Sequence, residues 1–426
     1  MARGKTRAPF RVCSALLISL LGSIMTDLAA TTPPHVAARS PWPLAAAGVI
    51  VAAFFAAVLL LPEKDALGRS LPLSMLLGGA FGLILQRSRF CFFCVTRDFL
   101  DARDARGLLG IVAALAVGLV GYYAVFGAWL PVPAPGRLPP DAHIGPVSWV
   151  LAAGAFVFGI GMAISGSCIS AHFYRLGEGS LASPIALIGA AIGFGLGFLS
   201  WNWLYLEAVQ EAPVLWLPGL LGYGGSLALQ LGLLAVLAFL LMRFPWPREE
   251  AAESPLEAVF RRRWPAYVGG LLVGTVAALA YLRIGPLGVT AELGSLARTA
   301  ANGAGLLPPR LEGLDSFSGC ATAVKETVLS RNGVFVLGLI LASFASALIA
   351  GDFKPRVPGF VECLRAITGG VLMGWGAMVA LGCTVGVLLS GIMAGAVSGW
   401  VFAVFCFAGI WLGWRSRQAV ARMLGA

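Results

Sequence analysis

About ten apolar stretches, each near the 20 residues or so that carry a helix across a bilayer, run through this chain and limit its fold more than any other feature. They fall at 44–61, 71–85, 107–130, 147–164 and 181–199, then at 219–241, 266–284, 334–350, 367–389 and 396–414. Several are short for a full crossing. Of the 426 residues 58% are hydrophobic and only 12% charged, where soluble domains carry about 25% charged residues. Mean hydropathy is +0.86. So little charge cannot cover the surfaces of two or three soluble domains. It also excludes disorder, a coiled coil, a disulfide scaffold and a nucleic-acid binder. The expected fold is an all-α polytopic membrane protein.

Lys and Arg number 30 against 20 Asp and Glu, a formal +10. In a membrane protein such an excess belongs in cytoplasmic loops. Arg3, Lys5, Arg7 and Arg11 precede the first stretch; Arg87, Arg89, Arg97, Arg103 and Arg106 lie between the second and third; Arg415, Arg417 and Arg422 close the chain. By contrast 130–145 holds only Arg137, and 200–217 holds no basic residue. With the basic set inside, an even number of spans puts both termini in the cytoplasm. The polar stretch 243–265, with Arg261, Arg262 and Arg263, then reads as a cytoplasmic linker between a first half, 44–242, and a second, 266–414. Residues 415–426 form a basic tail. Residues 1–43 stand apart as an N-terminal extension. Its basic start and the apolar 12–25 resemble a secretory signal, and a start at Met25 is the other reading.

The halves share a pattern. Gly159-Ile160-Gly161-Met162-Ala163-Ile164-Ser165-Gly166-Ser167-Cys168 resembles Gly374-Trp375-Gly376-Ala377-Met378-Val379-Ala380-Leu381-Gly382-Cys383. Each ends in Cys within an apolar span, and each precedes another Gly-interrupted segment. The loop 351–366 carries Lys354, Arg356 and Arg365, whereas its counterpart 130–145 is nearly free of basic residues. One loop therefore reads as inside and the other as outside. That is the plan of two inverted-topology repeats, with broken, Gly-rich half-helices meeting near the bilayer midplane.

Eight Cys is an ordinary number for this length, so their positions carry the information. A buried Cys is most often a small apolar filler. Cys168, Cys320 and Cys383 instead follow Ser167, Gly319 and Gly382 at expected helix breaks. Broken helices are tolerated at membrane depth where they line a cavity. Gly allows non-helical backbone there, and half-helix ends expose N–H groups that attract anions. A thiol in apolar surroundings stays protonated and acts as a weak, neutral S–H donor. The combination suits an anion with a soft sulfur end, held at several shallow sites because it must also leave. Cys13, Cys363 and Cys406 lack this setting.

Gln86-Arg87-Ser88-Arg89-Phe90-Cys91-Phe92, the Gly161 to Gly166-Ser167-Cys168 stretch, Pro286-Leu287-Gly288-Val289-Thr290 and the Gly374 to Gly382-Cys383 stretch together resemble the YeeE/YedE sulfur-transport family over roughly 71–414. The resemblance implies an inner-membrane importer of thiosulfate. Its relay cysteines would be Cys168, Cys320 and Cys383, with Cys91 near the cytoplasmic exit and with Gly166, Ser167, Gly319 and Gly382 around them. It also implies a small cytosolic sulfur-carrier partner of the TusA type. The chain departs from the family's usual Gly-Gly-Cys, having Ser167 before Cys168 and Leu381 before Gly382. Selenium anions are the alternative cargo.

A rival of another class is a membrane thiol oxidoreductase using Cys91-Phe92-Phe93-Cys94, the spacing of redox pairs. The flanking Arg residues put that pair at the reducing face, and neither 130–145 nor 200–217 supplies a second pair. In the transport reading Cys94 faces lipid or a neighbouring helix. His35, His143 and His172 share no metal-ligand spacing. His172 and Arg175 read as solvated loop residues, and Lys325 with Glu326 as a solvated pair at a helix start. No nucleotide site or cofactor is expected.

Overall fold

Every regular element of the computed structural model is helical, and the described residues are 42–65, 68–244, 255–314, 324–325 and 329–423. The expected site residues Gly319 and Cys320, with Cys13 and Glu326, lie outside them. The first helices are α1 (Trp42–Leu60), α2 (Leu71–Ser88), α3 (Phe92–Ala102), α4 (Arg106–Trp129) and α5 (Trp149–Ser165). Then come α6 (Ile169–Gly177), α7 (Ala182–Leu204), α8 (Leu217–Leu241) and α9 (Pro255–Phe260). The second half runs α10 (Ala266–Arg283), α11 (Val289–Gly303), α12 (Arg331–Ala350) and α13 (Phe360–Val379). A π-turned segment, Thr384–Ser390, leads into the single turn α14 (Gly391–Met393), and α15 (Val397–Met423) follows.

Local chemistry sets the boundaries. Ser70, Ser148 and Ser330 cap α2, α5 and α12 by accepting from the N–H of Leu73, Leu151 and Gly333, satisfying donors that a helix start leaves free. At the other ends Arg89, Gly166 and Gly351 take the left-handed conformation that closes a helix. Arg89 does so without glycine's freedom, and the chain turns there toward Cys91.

Among the described residues eight helices are long and apolar enough to cross a membrane, or nine if α13 and the 384–393 segment, bent by 44°, count as one broken span. About ten were expected. All ten stretches form helices, but α2 carries Gln86 and Arg87 in its last turn and is not among the eight. The protein is an all-helical, multi-pass membrane protein. Helices α1 and α8 turn most of their apolar side chains outward, with Leu59 and Leu60 84% exposed, a surface that water would not tolerate.

Between helices in lipid, close packing rather than the hydrophobic effect drives association, and small residues allow it. Glycine marks every principal contact. Helix α4 packs on α10 at Gly110 against Ala266, and α2 on α12 at Gly338 against Met75. Helix α13 packs on α7 at Gly374 against Ala190, and α5 on α15 at Gly159 against Cys406. At the centre α5 meets α13. A Cβ on Gly161 would lie 2.7 Å from the Gly369 carbonyl oxygen, and one on Gly376 would lie 2.5 Å from that of Gly154. As the number rises along α5 the partner's falls along α13, so the two run antiparallel. Setting Gly159 on Gly374, as the matching motifs do, also sets Gly154 on Gly369 and Gly161 on Gly376, so the motif match exchanges one contact for the other. Each half packs mainly on the other, within a single compact unit over 43–426.

The 243–265 stretch contains α9, and its C-terminal end is bound to α2. Arg87 donates to the Arg262 carbonyl, and Trp264 N–H donates to the Arg87 carbonyl at 3.0 Å. The expected basic tail continues α15 as far as Met423.

Candidate functional site

Two interrupted helices bring the described site cysteines into the interior. Helix α5 stops where Gly166 takes φ 84°, and Cys168 caps α6 from an extended conformation. The Ser165 hydroxyl donates to the Ser167 carbonyl at 3.0 Å, fixing the turn. Helix α13 stops at Leu381 (φ 59°) and Gly382 (φ 151°), and Cys383 caps the 384–390 segment. Val385 N–H donates to Cys383 Sγ at 3.4 Å. Gly382 is at a position that a side chain would strain. Leu381 carries that strain already, which is where the chain departs from Gly-Gly-Cys.

Each break cysteine meets a partner from another break. Cys91, the residue before α3, lies with its Sγ 3.6 Å from Ser167 Oγ and within interaction distance of the Cys168 and Cys94 thiols. Opposite it in the second half, the Thr290 hydroxyl donates to Cys383 Sγ at 3.2 Å. All of Cys91, Cys168, Cys383, Ser167 and Thr290 are at most 1% exposed. The α2–α3 and α10–α11 junctions thus face the two Cys-ending breaks in corresponding ways. The first half supplies a thiol where the second supplies a hydroxyl. Thr290 belongs to the Pro286-Leu287-Gly288-Val289-Thr290 motif and is a site residue that the sequence does not mark; its contact to Cys383 spans 93 positions, which spacing cannot reveal.

Two expectations are corrected. His172 and Arg175 are not loop residues: both lie on α6, and His172 is buried between the hydroxyls of Ser165 (3.2 Å) and Ser183 (3.3 Å). Arg175 Nη2 donates to Cys94 Sγ at 3.3 Å, so of the two surroundings expected for Cys94 it has the neighbouring helix. Lys325 is not solvated either; it pairs with Glu292, which also accepts from the Ser330 hydroxyl, and both side chains of the ion pair are nearly buried. A mixed-polarity segment of nine residues has too little apolar content to register as an inward-facing helix. Of the remaining described cysteines, Cys363 is half-buried near the Pro358 carbonyl, and Cys406 lies fully buried in the continuous helix α15.

The two breaks border different cavities. Ser165 and Gly166 line a polar cavity of about 400 Å³ with Arg89, Arg175, Lys354, Arg356, Arg365 and Arg417, against the acids Glu178, Asp352 and Glu362. Burial raises the Glu178 carboxyl above its ordinary range, and Arg89 and Arg175 oppose that shift. The second break borders the loop after α4. Leu381 lines a small cavity with His143, Gly145 and Ser398. Burial pushes the His143 imidazole down to about 4, so it is neutral at pH 7. Buried side-chain atoms without a hydrogen-bond partner among the described residues include His143 Nε2, Ser170 Oγ and Thr384 Oγ1. Leaving such a group unsatisfied costs about 1–3 kcal/mol.

A multi-pass helical protein whose interior holds interrupted helices, buried thiols and hydroxyls without a partner among the described residues has the construction of a transporter for small solutes. The chain belongs to the sulphur transport family, whose model matches residues 87–412, from the last turn of α2 into α15. It is similar to the thiosulfate transporter TsuA of Escherichia coli (strain K12), 29% identical over 374 residues, covering 79% of this chain and 92% of that protein. The thiosulfate transporter TsuA of Spirochaeta thermophila is 28% identical over 359 residues, covering 79% and 96%. A shorter match, 35% over 85 residues, is to the probable transporter YedE of Escherichia coli (strain K12), covering 20% of this chain and 21% of that one.

Proposed function

We propose that this protein imports thiosulfate, or a sulfur anion close to it, across the bacterial inner membrane, and acts as a transporter and not an enzyme. The observation that carries the reading is the placing of two buried thiol sites at helix breaks whose residues line two different cavities. A path from outside would pass the His143 cavity, Cys383 with Thr290, then Cys168 with Cys91, and leave by the basic cavity. Neutral S–H groups offer the anion's terminal sulfur a soft partner without a full counter-charge, which would hold it too long. The names of the two TsuA relatives support thiosulfate as the cargo. Cys320 with Gly319 would be a further stage of the relay.

The halves are proposed to be inverted in the membrane, with both termini cytoplasmic. The antiparallel contact of α5 with its counterpart α13 supports this, as does the basic character of 351–366 against 130–145. A small sulfur carrier of the TusA type is proposed to collect the sulfur at the inner face, where the basic cavity opens. The direct test is uptake of radiolabelled thiosulfate by proteoliposomes. Wild-type protein should accumulate label above protein-free vesicles, and Cys168→Ala and Cys383→Ala should not. Absence of wild-type uptake would sink the reading.

The oxidoreductase alternative has one observation in its favour, the nearness of Cys94 to Cys91. It requires both thiols to turn over as a couple. Transport should survive Cys94→Ser, weakened only through the lost contact to Arg175, and Cys91→Ser should fall further. A trapped mixed disulfide through Cys91, with uptake lost in Cys94→Ser, would favour the redox reading instead.

A further inference from the structure

Two hydroxyls stand just past the break cysteines. Ser170 follows Cys168 by two positions, and Thr384 directly follows Cys383. Ser170 is 3% and Thr384 0% exposed, and neither oxygen has a hydrogen-bond partner among the described residues. Their isolation has a structural cause. A Ser or Thr inside a helix ordinarily bonds to the carbonyl four residues earlier, as Thr96 does to Phe92, Thr368 to Leu364 and Ser88 to Ile84 in this chain. Four residues before Ser170 is Gly166, and four before Thr384 is Ala380, each on the far side of its break. The same interruption that presents the thiols therefore denies these hydroxyls their usual acceptor. Both sit beside the first turn of a new helical segment, whose leading N–H groups also lack partners within the helix.

Thiosulfate has two chemically distinct ends, a soft sulfur and hard oxygens. A thiol matches the first poorly matched by water, but it does little for the second. We infer that the Ser170 and Thr384 hydroxyls, each placed past a thiol at a helix break, are oxygen-binding partners at the Cys168 and Cys383 sites and make those sites select anions that carry both ends. An anion with oxygens alone, such as sulfate, would leave the thiol unmatched. One with sulfur alone, such as hydrosulfide, would leave the hydroxyl unmatched. The inference rests on the transport reading and adds the determinants of its specificity.

The test uses the full chain in proteoliposomes, with radiolabelled thiosulfate and with sulfate and hydrosulfide as competitors. Thr384→Val keeps the shape and removes the hydroxyl; Ser170→Ala does the same more crudely; Thr384→Ser restores the donor. Thr384→Val should raise the half-saturating thiosulfate concentration about tenfold, the worth of one hydrogen bond to a charged group. Thr384→Ser should stay within about twofold of wild type. The melting temperature of Thr384→Val should be equal or higher, because an unpaired buried hydroxyl has been replaced by a methyl. Hydrosulfide should compete better against thiosulfate in Thr384→Val than in wild type. Wild-type half-saturation in both Thr384→Val and Ser170→Ala would overturn the inference while leaving transport intact. So would a loss in Thr384→Val that tracks a lowered melting temperature and is not rescued by serine. No thiosulfate uptake by wild type would remove the transport reading and this inference together.

Discussion

What separates Cys168 and Cys383 from Cys406 is backbone, not burial, since all three are buried to the same degree. Cys406 sits in continuous helix, its carbonyl against Gly159, and its thiol fills space. Replacing it with alanine should cost on the order of 1 kcal/mol of packing and leave uptake at matched expression near wild type. Cys363→Ala should be neutral. Cys168→Ala and Cys383→Ala should abolish thiosulfate-dependent growth, and damage of equal size from the first pair would undo the site assignment. His143 makes a separate residue-scale prediction. Its imidazole falls from 6.5 to about 4 on burial, so between those values the unfolded chain takes a proton that the folded one refuses. Stability is then full above pH 6.5 and declines as pH falls toward 4, by about 3 kcal/mol at the lower end. The melting temperature in detergent should drop from pH 7 to pH 4.5 less steeply in His143→Gln than in wild type. Identical slopes would mean that burial does not hold this imidazole neutral.

At the scale of elements, the assembly depends on glycines that let two backbones touch. Valine at Gly161 would be driven onto the Gly369 carbonyl, and valine at Gly376 onto that of Gly154. Neither neighbour is a flexible side chain that could move aside. Each substitution should destabilise by about 1–3 kcal/mol and by similar amounts, because the two contacts are equivalent. Gly195→Val, on α7 with open space where a Cβ would go, is the control, and its melting temperature should stay close to wild type. The apolar helices and the described breaks were legible in the sequence because both leave local signatures: a run of spanning length, and Gly beside Cys within it. Helix α6 left none. Its nine residues mix Ser170, His172 and Arg175 with apolar positions, and only the packing of α12, α7 and α2 on it turns those polar groups inward. The Thr290–Cys383 and Lys325–Glu292 contacts were likewise illegible, since each joins segments far apart in the chain.

For the whole molecule, the proposed orientation rests on one geometric fact and one electrostatic argument. Helices α5 and α13, which carry the matching Cys-ending motifs, run antiparallel, so if they are repeat partners and both cross the bilayer, their halves enter it from opposite sides. Basic residues concentrate in cytoplasmic loops; Lys354 and Arg356 lie in the loop before α13 and Arg365 in its second turn, while the loop before α5 carries Arg137 alone among 130–145. Those three basic residues also line the polar cavity reached from Gly166, so cavity and loop share a face. Val132 and Val357 report on the two loops, and their exposures of 70% and 79% are close enough that access alone cannot separate them. In a Cys363→Ala background, intact cells bearing Val132→Cys should react with a membrane-impermeant maleimide, and cells bearing Val357→Cys should react only after permeabilisation. Labelling of both from outside would place the loops on one face, and the halves could not then be inverted repeats.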